Sequence, residues 1–484
     1  MAPKFGTSGL RGLVSELTPD LVGAYVRAFL AACPAGPRVL VGRDLRASSP
    51  RIAEDVMAAI CSAGREAVDC GALPTPALAL AAMGQGEEGP GAAAIMVTGS
   101  HIPADRNGLK FYLPSGEISK ADEAAIGQAL DRPGSAMGQG TRSFAPEAGA
   151  AYVARYVQAF GAAALAGLRV GVYQHSSVAR ETLVEILRAL GAEPVPLAPS
   201  DSFVPVDTEA VDAGTRAMLA DWCAGQGLDA LVSTDGDADR PMLTDAAGRV
   251  VPGDILGAIT ARALGAEAVC TPVSSNSLVT RLPEFETVRL TRIGSPFVIA
   301  AMDEILAADP AARVVGFEAN GGFLLGFAAR GPAGPLAPLM TRDAMLPLVA
   351  VLAAARALGD AAGGVAGLVA ALPARHTAAD RLQEVAPEAS AALLSRLDGS
   401  AEARAAFFAP FGREAGCDRT DGLRVSFESG EILHLRPSGN APEFRVYAEA
   451  DNRERAAAVL ALGLERVAAA LEAGSSLAER GAQE

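Results

Sequence analysis

Four short polar segments, far apart in the chain, each follow an apolar run, and their residue types suit phosphate chemistry. In Val97-Thr98-Gly99-Ser100-His101, the serine falls in a turn directly after a strand-like run. It is expected to face solvent there, and Gly99 lets backbone N–H groups come close to a phosphate. His101 is adjacent, but the G-x-S-x-G elbow of acyl-transferring hydrolases is absent, so carrying a phosphoryl group suits Ser100 better than acyl transfer. Further on, Asp235, Asp237 and Asp239 alternate in Ser233-Thr234-Asp235-Gly236-Asp237-Ala238-Asp239-Arg240, so on an extended loop they project to one side. Clustered carboxylates repel one another unless a hard cation lies between them, and oxygen-only ligands select Mg²⁺ or Ca²⁺. A set of three suits Mg²⁺ and leaves positions for a phosphoryl oxygen, whose charge Arg240 offsets. A calcium hand also alternates aspartates, but Pro241 and Met242 stand where its loop would continue with glycine and later glutamate.

Glu318 and Asn320, in Gly316-Phe317-Glu318-Ala319-Asn320-Gly321-Gly322, offer acceptors and donors for vicinal sugar hydroxyls. Arg436, Ser438, Gly439 and Asn440 read as a loop between strands, with Arg445 emerging from the next strand. An arginine, a hydroxyl and bare backbone amides in one place form a phosphate clamp. Together the four segments describe phosphoryl transfer to and from a sugar.

The elements that must hold these loops are read from periodicity. Buried strands are expected at Arg38–Gly42, Ala92–Val97, Leu168–Tyr173, Ala230–Ser233 and Val314–Phe317, alternating with helices at Pro50–Ala63, Ala179–Leu190 and Pro296–Ala307. That alternation means βαβ units around largely parallel sheets, with ligands at the carboxyl ends of the strands. A Gly/Ser/Pro-rich stretch from Gly134 to Pro146 precedes a helix at Ala151–Phe160, and a helix at Arg342–Leu358 precedes a Gly/Ala-rich stretch. The expected division is 1–148, 149–250, 251–365 and 366–484, the last an α+β module with a hairpin over Glu428-Ser429-Gly430, a strand at Phe444–Ala448 and a helix at Arg453–Leu471.

Composition narrows the class. At 484 residues the chain exceeds one hydrophobic core, and its longest apolar run, Ala344 to Ala355, is too short to span a bilayer. The N-terminus lacks the form of a secretory signal, so a cytoplasmic location is expected. A net charge of −15, spread along the chain, argues against nucleic-acid and anionic-membrane partners. The six cysteines form no Cys-x-x-Cys pair and are expected to be reduced thiols, mostly buried.

Nearly end to end, the chain resembles the α-D-phosphohexomutases, the group containing phosphomannomutase, phosphoglucomutase and phosphoglucosamine mutase. The resemblance begins at Lys4-Phe5-Gly6-Thr7-Ser8-Gly9-Leu10-Arg11-Gly12 and runs through the serine loop, Asn107-Gly108-Leu109-Lys110 and the Asp-Gly-Asp-Ala-Asp-Arg loop. It ends with the Arg-Pro-Ser-Gly loop and Arg445-Val446-Tyr447-Ala448-Glu449. It implies a heart-shaped α/β protein of four domains, three βα domains with mixed, mostly parallel sheets and a C-terminal α+β domain, each giving one loop to a central cleft. Ser100 then corresponds to the phosphorylated serine, completing the Mg²⁺ site of Asp235, Asp237 and Asp239. Arg11 and Lys110 correspond to positions implicated in proton transfer, and His101 completes the catalytic group as a hydrogen-bonding neighbour. A hexose 1,6-bisphosphate is the implied intermediate and activator, small phosphosugars are the partners, and a monomer or homodimer is the implied assembly.

The chain also departs from the family pattern. Glu318-Ala319-Asn320-Gly321-Gly322 replaces a Gly-Glu-Met-Ser-Gly-His segment, leaving Gly322 where the terminal histidine would be. Thr291-Arg292-Ile293-Gly294-Ser295 lacks the histidine of a Thr-Gly-His and reads closer to the phosphoglucosamine mutase form, and Ile102 stands where asparagine is usual. The leading expectation is interconversion of mannose 6-phosphate and mannose 1-phosphate, with glucose phosphates also accepted. The alternatives are a phosphoglucosamine mutase and a catalytically silent sugar-phosphate-binding protein. An intact Ser100 and a complete aspartate triad count against the silent binder.

Overall fold

The computed structural model describes all residues except 1–2, 7, 85–90, 131–137, 360–362, 439–441 and 482–484. The chain divides into two compact units. The larger comprises Met1–Cys270, Glu284–Thr287 and Gly294–Ala371, and the smaller Thr271–Pro283, Val288–Ile293 and Leu372–Glu484.

Three mixed sheets organise the larger unit. In the first, Ala93–Val97, Arg38–Arg43, Glu66–Ala72 and Arg142–Phe144 run parallel. Arg106–Leu113 and then Leu10–Leu13 add antiparallel strands on the Ala93–Val97 side. Every residue of Ala93–Val97 is buried, as the all-apolar run predicts for a strand covered on both faces. Ile95, Val97, Leu109 and Phe111 are at most 1% exposed, and burying each large apolar side chain contributes roughly 1.5–3 kcal/mol. The second sheet places Glu193–Pro199 and Ala230–Thr234 parallel to Arg169–His175, with Pro241–Thr244 antiparallel beyond. In the third, Ala268–Pro272 and Val314–Phe317 are parallel, followed by antiparallel Phe323–Leu325 and Leu339–Asp343.

The smaller unit carries a fully antiparallel sheet in the order His376–Gln383, Glu443–Ala450, Ile432–Pro437, Leu423–Phe427, Glu414–Asp418. Helices Pro387–Gly399, Ala401–Phe408 and Arg453–Gly481 accompany it. Leu393, Phe408, Val425, Leu433, Phe444 and Val459 belong to its core.

In the larger unit, two differences from the sequence reading bear on the fold. The helix expected to begin at Arg342 begins at Met345, because Asp343 Oδ1 accepts the Met345 N–H at 2.9 Å and Leu339–Asp343 is claimed by the third sheet. Within the Gly/Ser/Pro-rich stretch from Gly134 to Pro146, where no strand is expected, Arg142–Phe144 forms one, gaining its ladder from Glu66–Ala72. All six cysteines are free thiols, four of them buried. No helix of the described residues is long and apolar enough to cross a membrane.

Candidate active site

The serine loop starts where the buried strand Ala93–Val97 ends. Ser100 has φ +52°, a left-handed conformation rare outside glycine, so its surroundings must impose it. Its N–H donates to Thr98 Oγ1 at 2.8 Å, and Thr98 Oγ1 donates to Asp44 Oδ2 at 2.8 Å. Arg46, 2% exposed, donates to the carbonyls of Ser100, Ile102, Pro103 and Arg106 and lies 3.7 Å from the Phe203 ring centroid. One guanidinium therefore closes the whole loop. Gly99 is required beneath it, since a Cβ there would sit 2.4 Å from Arg46 Cζ.

The serine itself is buried rather than solvent-facing, because its Oγ turns inward and donates to Asp235 Oδ2 at 2.5 Å, with His101 Nδ1 at 3.3 Å. Arg240 and burial together push His101 down to about 3, so its ring is neutral and acts as a hydrogen-bonding neighbour.

The acidic loop follows the buried strand Ala230–Thr234. Its three carboxylates converge through a tight turn rather than by alternation on an extended loop: Ala238 adopts φ +63°, and the Asp235 N–H bonds back to the Arg240 carbonyl at 3.1 Å. Asp235, Asp237 and Asp239 each offer an oxygen within 4.8 Å of the others. Lys110, 1% exposed on the strand Arg106–Leu113, places Nζ 2.6 Å from Asp237 Oδ2 and 2.5 Å from Asp239 Oδ2. Thr75 Oγ1 donates to the same Asp237 oxygen at 2.7 Å. The other oxygens, Asp237 Oδ1 and Asp239 Oδ1, are buried without a hydrogen-bond partner. Unsatisfied buried carboxylate oxygens are costly, and two of them beside a third carboxylate form an oxygen donor set suited to a hard divalent cation.

Charge within the cluster is unevenly shared. Burial, reinforced by Asp237 and Asp239, holds Asp235 well above the usual carboxylate range. Burial would also raise Asp237, but the Lys110 ammonium and the Thr75 hydroxyl outweigh it and hold it below that range. Arg11, on Leu10–Leu13, donates to the Thr98 carbonyl, and burial lowers it despite Asp237 and Asp239.

Glu318 and Asn320 lie at the end of the buried strand Val314–Phe317, 4% and 6% exposed. Asn320 Oδ1 accepts the Gly322 N–H at 3.0 Å, and Thr208 Oγ1 donates to the Asn320 carbonyl at 3.0 Å. Glu318 Oε2 accepts from Arg342 Nη1 at 3.2 Å, while Arg342 Nη2 lies 2.7 Å from Asp239 Oδ2. Burial would lower Arg342, but Asp239, Glu318 and Glu117 outweigh it, so its cationic form is strongly favoured. Arg240 follows the triad directly, its N–H 3.3 Å from Asp235 Oδ1 and its Nε 3.8 Å from Asp239 Oδ1.

In the smaller unit, Arg436 lies within the strand Ile432–Pro437 rather than in a loop, directly opposite Arg445, which is opposite Arg381. Three arginines thus line up across three strands. Arg436 Nε is 3.0 Å from Asp421 Oδ2, and Glu443 approaches both Arg381, at 3.4 Å, and Arg445, at 3.6 Å. The Ser438 N–H donates to the Glu443 carbonyl at 2.8 Å. Gly439 and Asn440 lie outside the described residues.

The fold thus brings Ser100, His101, Arg11, Lys110, Asp235, Asp237, Asp239, Arg240, Glu318 and Asn320 into one unit, and Arg436, Ser438 and Arg445 into the other. Sequence reasoning missed Arg46, Asp44, Thr75 and Arg342. Asp44-Leu45-Arg46 after the strand Arg38–Arg43 carried a readable signal, a charged cluster at a strand's carboxyl end. Thr75 and Arg342 carried none, one lying between two prolines and the other inside an expected helix.

Four models of the phosphoglucomutase/phosphomannomutase family match in succession: alpha/beta/alpha domain I over 2–137, domain II over 150–248, domain III over 252–373 and the C-terminal domain over 376–462. A phosphomannomutase of Sinorhizobium fredii is 48% identical over 479 residues, covering 96% of this chain and 98% of the relative. A phosphomannomutase of Salmonella muenchen is 41% identical over 459 residues, covering 93% of each. The crystal structure of a phosphoglucomutase/phosphomannomutase family protein from Burkholderia thailandensis shares the fold, with a TM-score of 0.74 at 22% identity over 97% of each chain. With all four domain models matched in order and close relatives aligned over nearly the full length, this chain belongs to the phosphoglucomutase/phosphomannomutase family.

Proposed function

We propose that the chain is a phosphohexomutase interconverting mannose 6-phosphate and mannose 1-phosphate, with glucose phosphates as further substrates. The observation that carries this reading is the contact of Ser100 Oγ with Asp235 inside the aspartate cluster, which joins a phosphorylatable hydroxyl to a cation site. The name shared by the relatives from Sinorhizobium fredii and Salmonella muenchen favours mannose phosphates. Four domains, at 1–148, 149–250, 251–365 and 366–484, each contribute one of the loops.

In the proposed reaction, the bond between Ser100 Oγ and phosphorus breaks as a sugar hydroxyl forms a new bond to that phosphorus, giving a hexose 1,6-bisphosphate and a free serine. The proton released by the sugar hydroxyl passes through Arg11 or Lys110, the basic groups beside the triad, and the reverse transfer from the other sugar position restores phosphoserine. When bound by Asp235, Asp237 and Asp239, Mg²⁺ supplies charge stabilisation for the phosphoryl oxygens. Arg240 offsets phosphate charge, Glu318 and Asn320 hold sugar hydroxyls, and Arg436, Ser438, Gly439, Asn440 and Arg445 bind a phosphate of the substrate.

The test is ³¹P NMR of the protein with Mg²⁺ and catalytic glucose 1,6-bisphosphate, supplied separately with mannose 1-phosphate, glucose 1-phosphate and glucosamine 1-phosphate. Mannose 6-phosphate forming rapidly supports the assignment, and turnover of glucosamine 1-phosphate alone moves it to a phosphoglucosamine mutase. Silence in all three tubes rejects the mutase reading.

A further inference from the structure

Arg342 contacts both the acidic loop and the sugar loop. Its guanidinium spans Asp239 Oδ2 and Glu318 Oε2, and its own side chain is 6% exposed. The backbone is shaped to admit it. A Cβ at Gly322 would lie 2.8 Å from Arg342 Cδ and 2.9 Å from Cγ, with the Asp239 carbonyl at 3.0 Å, so the arginine stem fills the space a residue at 322 would use. Arg342 is fixed in turn from its own strand: the neighbouring Asp343 accepts from the hydroxyls of Tyr152 and Tyr156, both fully buried. A forked cation held this rigidly can set the orientation of one carboxylate relative to another, which a lysine cannot do.

We propose that Arg342 is the positioning residue that couples cation binding to sugar recognition, aligning Glu318 for substrate hydroxyls while lending part of its charge to Asp239. The proposal rests on the mutase reading for its substrate half only. Its signature is a pair of opposite effects. Removing a cation beside the aspartates leaves them more negative, so a divalent ion binds more tightly; the anionic sugar phosphate, deprived of positive charge and of an oriented Glu318, binds more weakly. A residue serving only to stabilise the fold would weaken both.

The test uses the full-length protein with Arg342→Gln and Arg342→Lys. Mn²⁺ titration followed by electron paramagnetic resonance is expected to give a Kd about fivefold lower for Arg342→Gln, the size of a partly screened Coulomb effect. The KM for mannose 1-phosphate is expected to rise about tenfold with a smaller change in kcat, as for loss of a charge-assisted contact. Arg342→Lys should restore the Mn²⁺ affinity but not the KM. Weakened binding of both ligands, or no change in either, overturns the proposal. A second pair of variants needs no turnover: Gly322→Ala should lower Tm in the native background and do so less in Arg342→Ala, the coupling expected of residues in contact. Equal losses in the two backgrounds would show that the stem does not occupy that space. Because Mn²⁺ binding and Tm are read without substrate, a failed mutase assay and a failed coupling proposal remain distinguishable.

Discussion

The two charged regions of this protein are built on opposite electrostatic plans. In the larger unit, the carboxylates Asp235, Asp237, Asp239 and Glu318 interleave with Lys110, Arg342 and Arg240, nearly all of it buried. In the smaller unit, Arg381, Arg445 and Arg436 stand side by side on adjacent strands and share Asp421 and Glu443. Like charges directly opposite in a sheet are destabilising, so the arginine row is held at a cost that an anion would relieve. The first region holds buried carboxylate oxygens without hydrogen-bond partners, which suits the cation site proposed above; the second sets three arginines beside two carboxylates, which suits the proposed phosphate site.

Ser100→Ala removes the proposed phosphoryl carrier and is expected to lower kcat by about 10³-fold or more, measured in the coupled mutase assay with glucose 1,6-bisphosphate present. Full retention of turnover would break the preorganised half of the comparison. Asp237→Asn should reduce kcat by about 10²-fold and weaken Mg²⁺ binding in calorimetry, because it neutralises one cation ligand and leaves buried Lys110 with less counter-charge.

Arg436→Ala should instead act on the sugar phosphate, raising KM about tenfold with less effect on kcat and speeding loss of the phosphoenzyme to water. An unchanged KM and hydrolysis rate would remove Arg436 from the phosphate clamp. Salt should separate the regions further. Arg381 and Arg445 are 48% and 38% exposed at their side chains whereas the triad is buried, so ionic strength near 1 M, where screening acts within about 3 Å, should raise KM more than it lowers Mg²⁺ affinity.

The smallest expected effect is on stability. His434, 1% exposed, donates from Nε2 to the Asp421 carbonyl at 2.6 Å, and burial pushes it down to about 4. Its folded pKa lies below the unfolded value, so its contribution is complete above about pH 6.5 and declines as pH falls towards 4, at most about 3 kcal/mol in all. The acid limb of a thermal-melt profile should flatten in His434→Gln, and an unchanged limb would show that the ring is not buried neutral.

How much of this was legible depended on whether local chemistry or tertiary competition decided the outcome. Val314–Phe317 and Ala230–Thr234 could be read because short, largely apolar runs ending in polar turns have few other uses. The loops that follow were found for the same reason, since Gly, Asp and Ser after a buried strand carry their chemistry in their types. What could not be read was the folding of those loops. Ser100 was expected in solvent and is buried, because a residue 135 positions away accepts its hydroxyl. The triad converges through the left-handed turn at Ala238, where no glycine advertises the conformation. Arg342 looked helical because Ala344 to Ala355 is a strong helix former, and only pairing with Phe323–Leu325 draws it into a strand against Asp239 and Glu318.

The most direct test of the central claim is a pulse-chase on Ser100. Protein labelled from ³²P-glucose 1,6-bisphosphate is digested and mapped, then chased with unlabelled mannose 1-phosphate in a single turnover. Label confined to the Ser100 peptide and chased into mannose 6-phosphate or the mannose bisphosphate is the expected result. Label on another residue, or label on Ser100 that reaches water but never sugar, would contradict it.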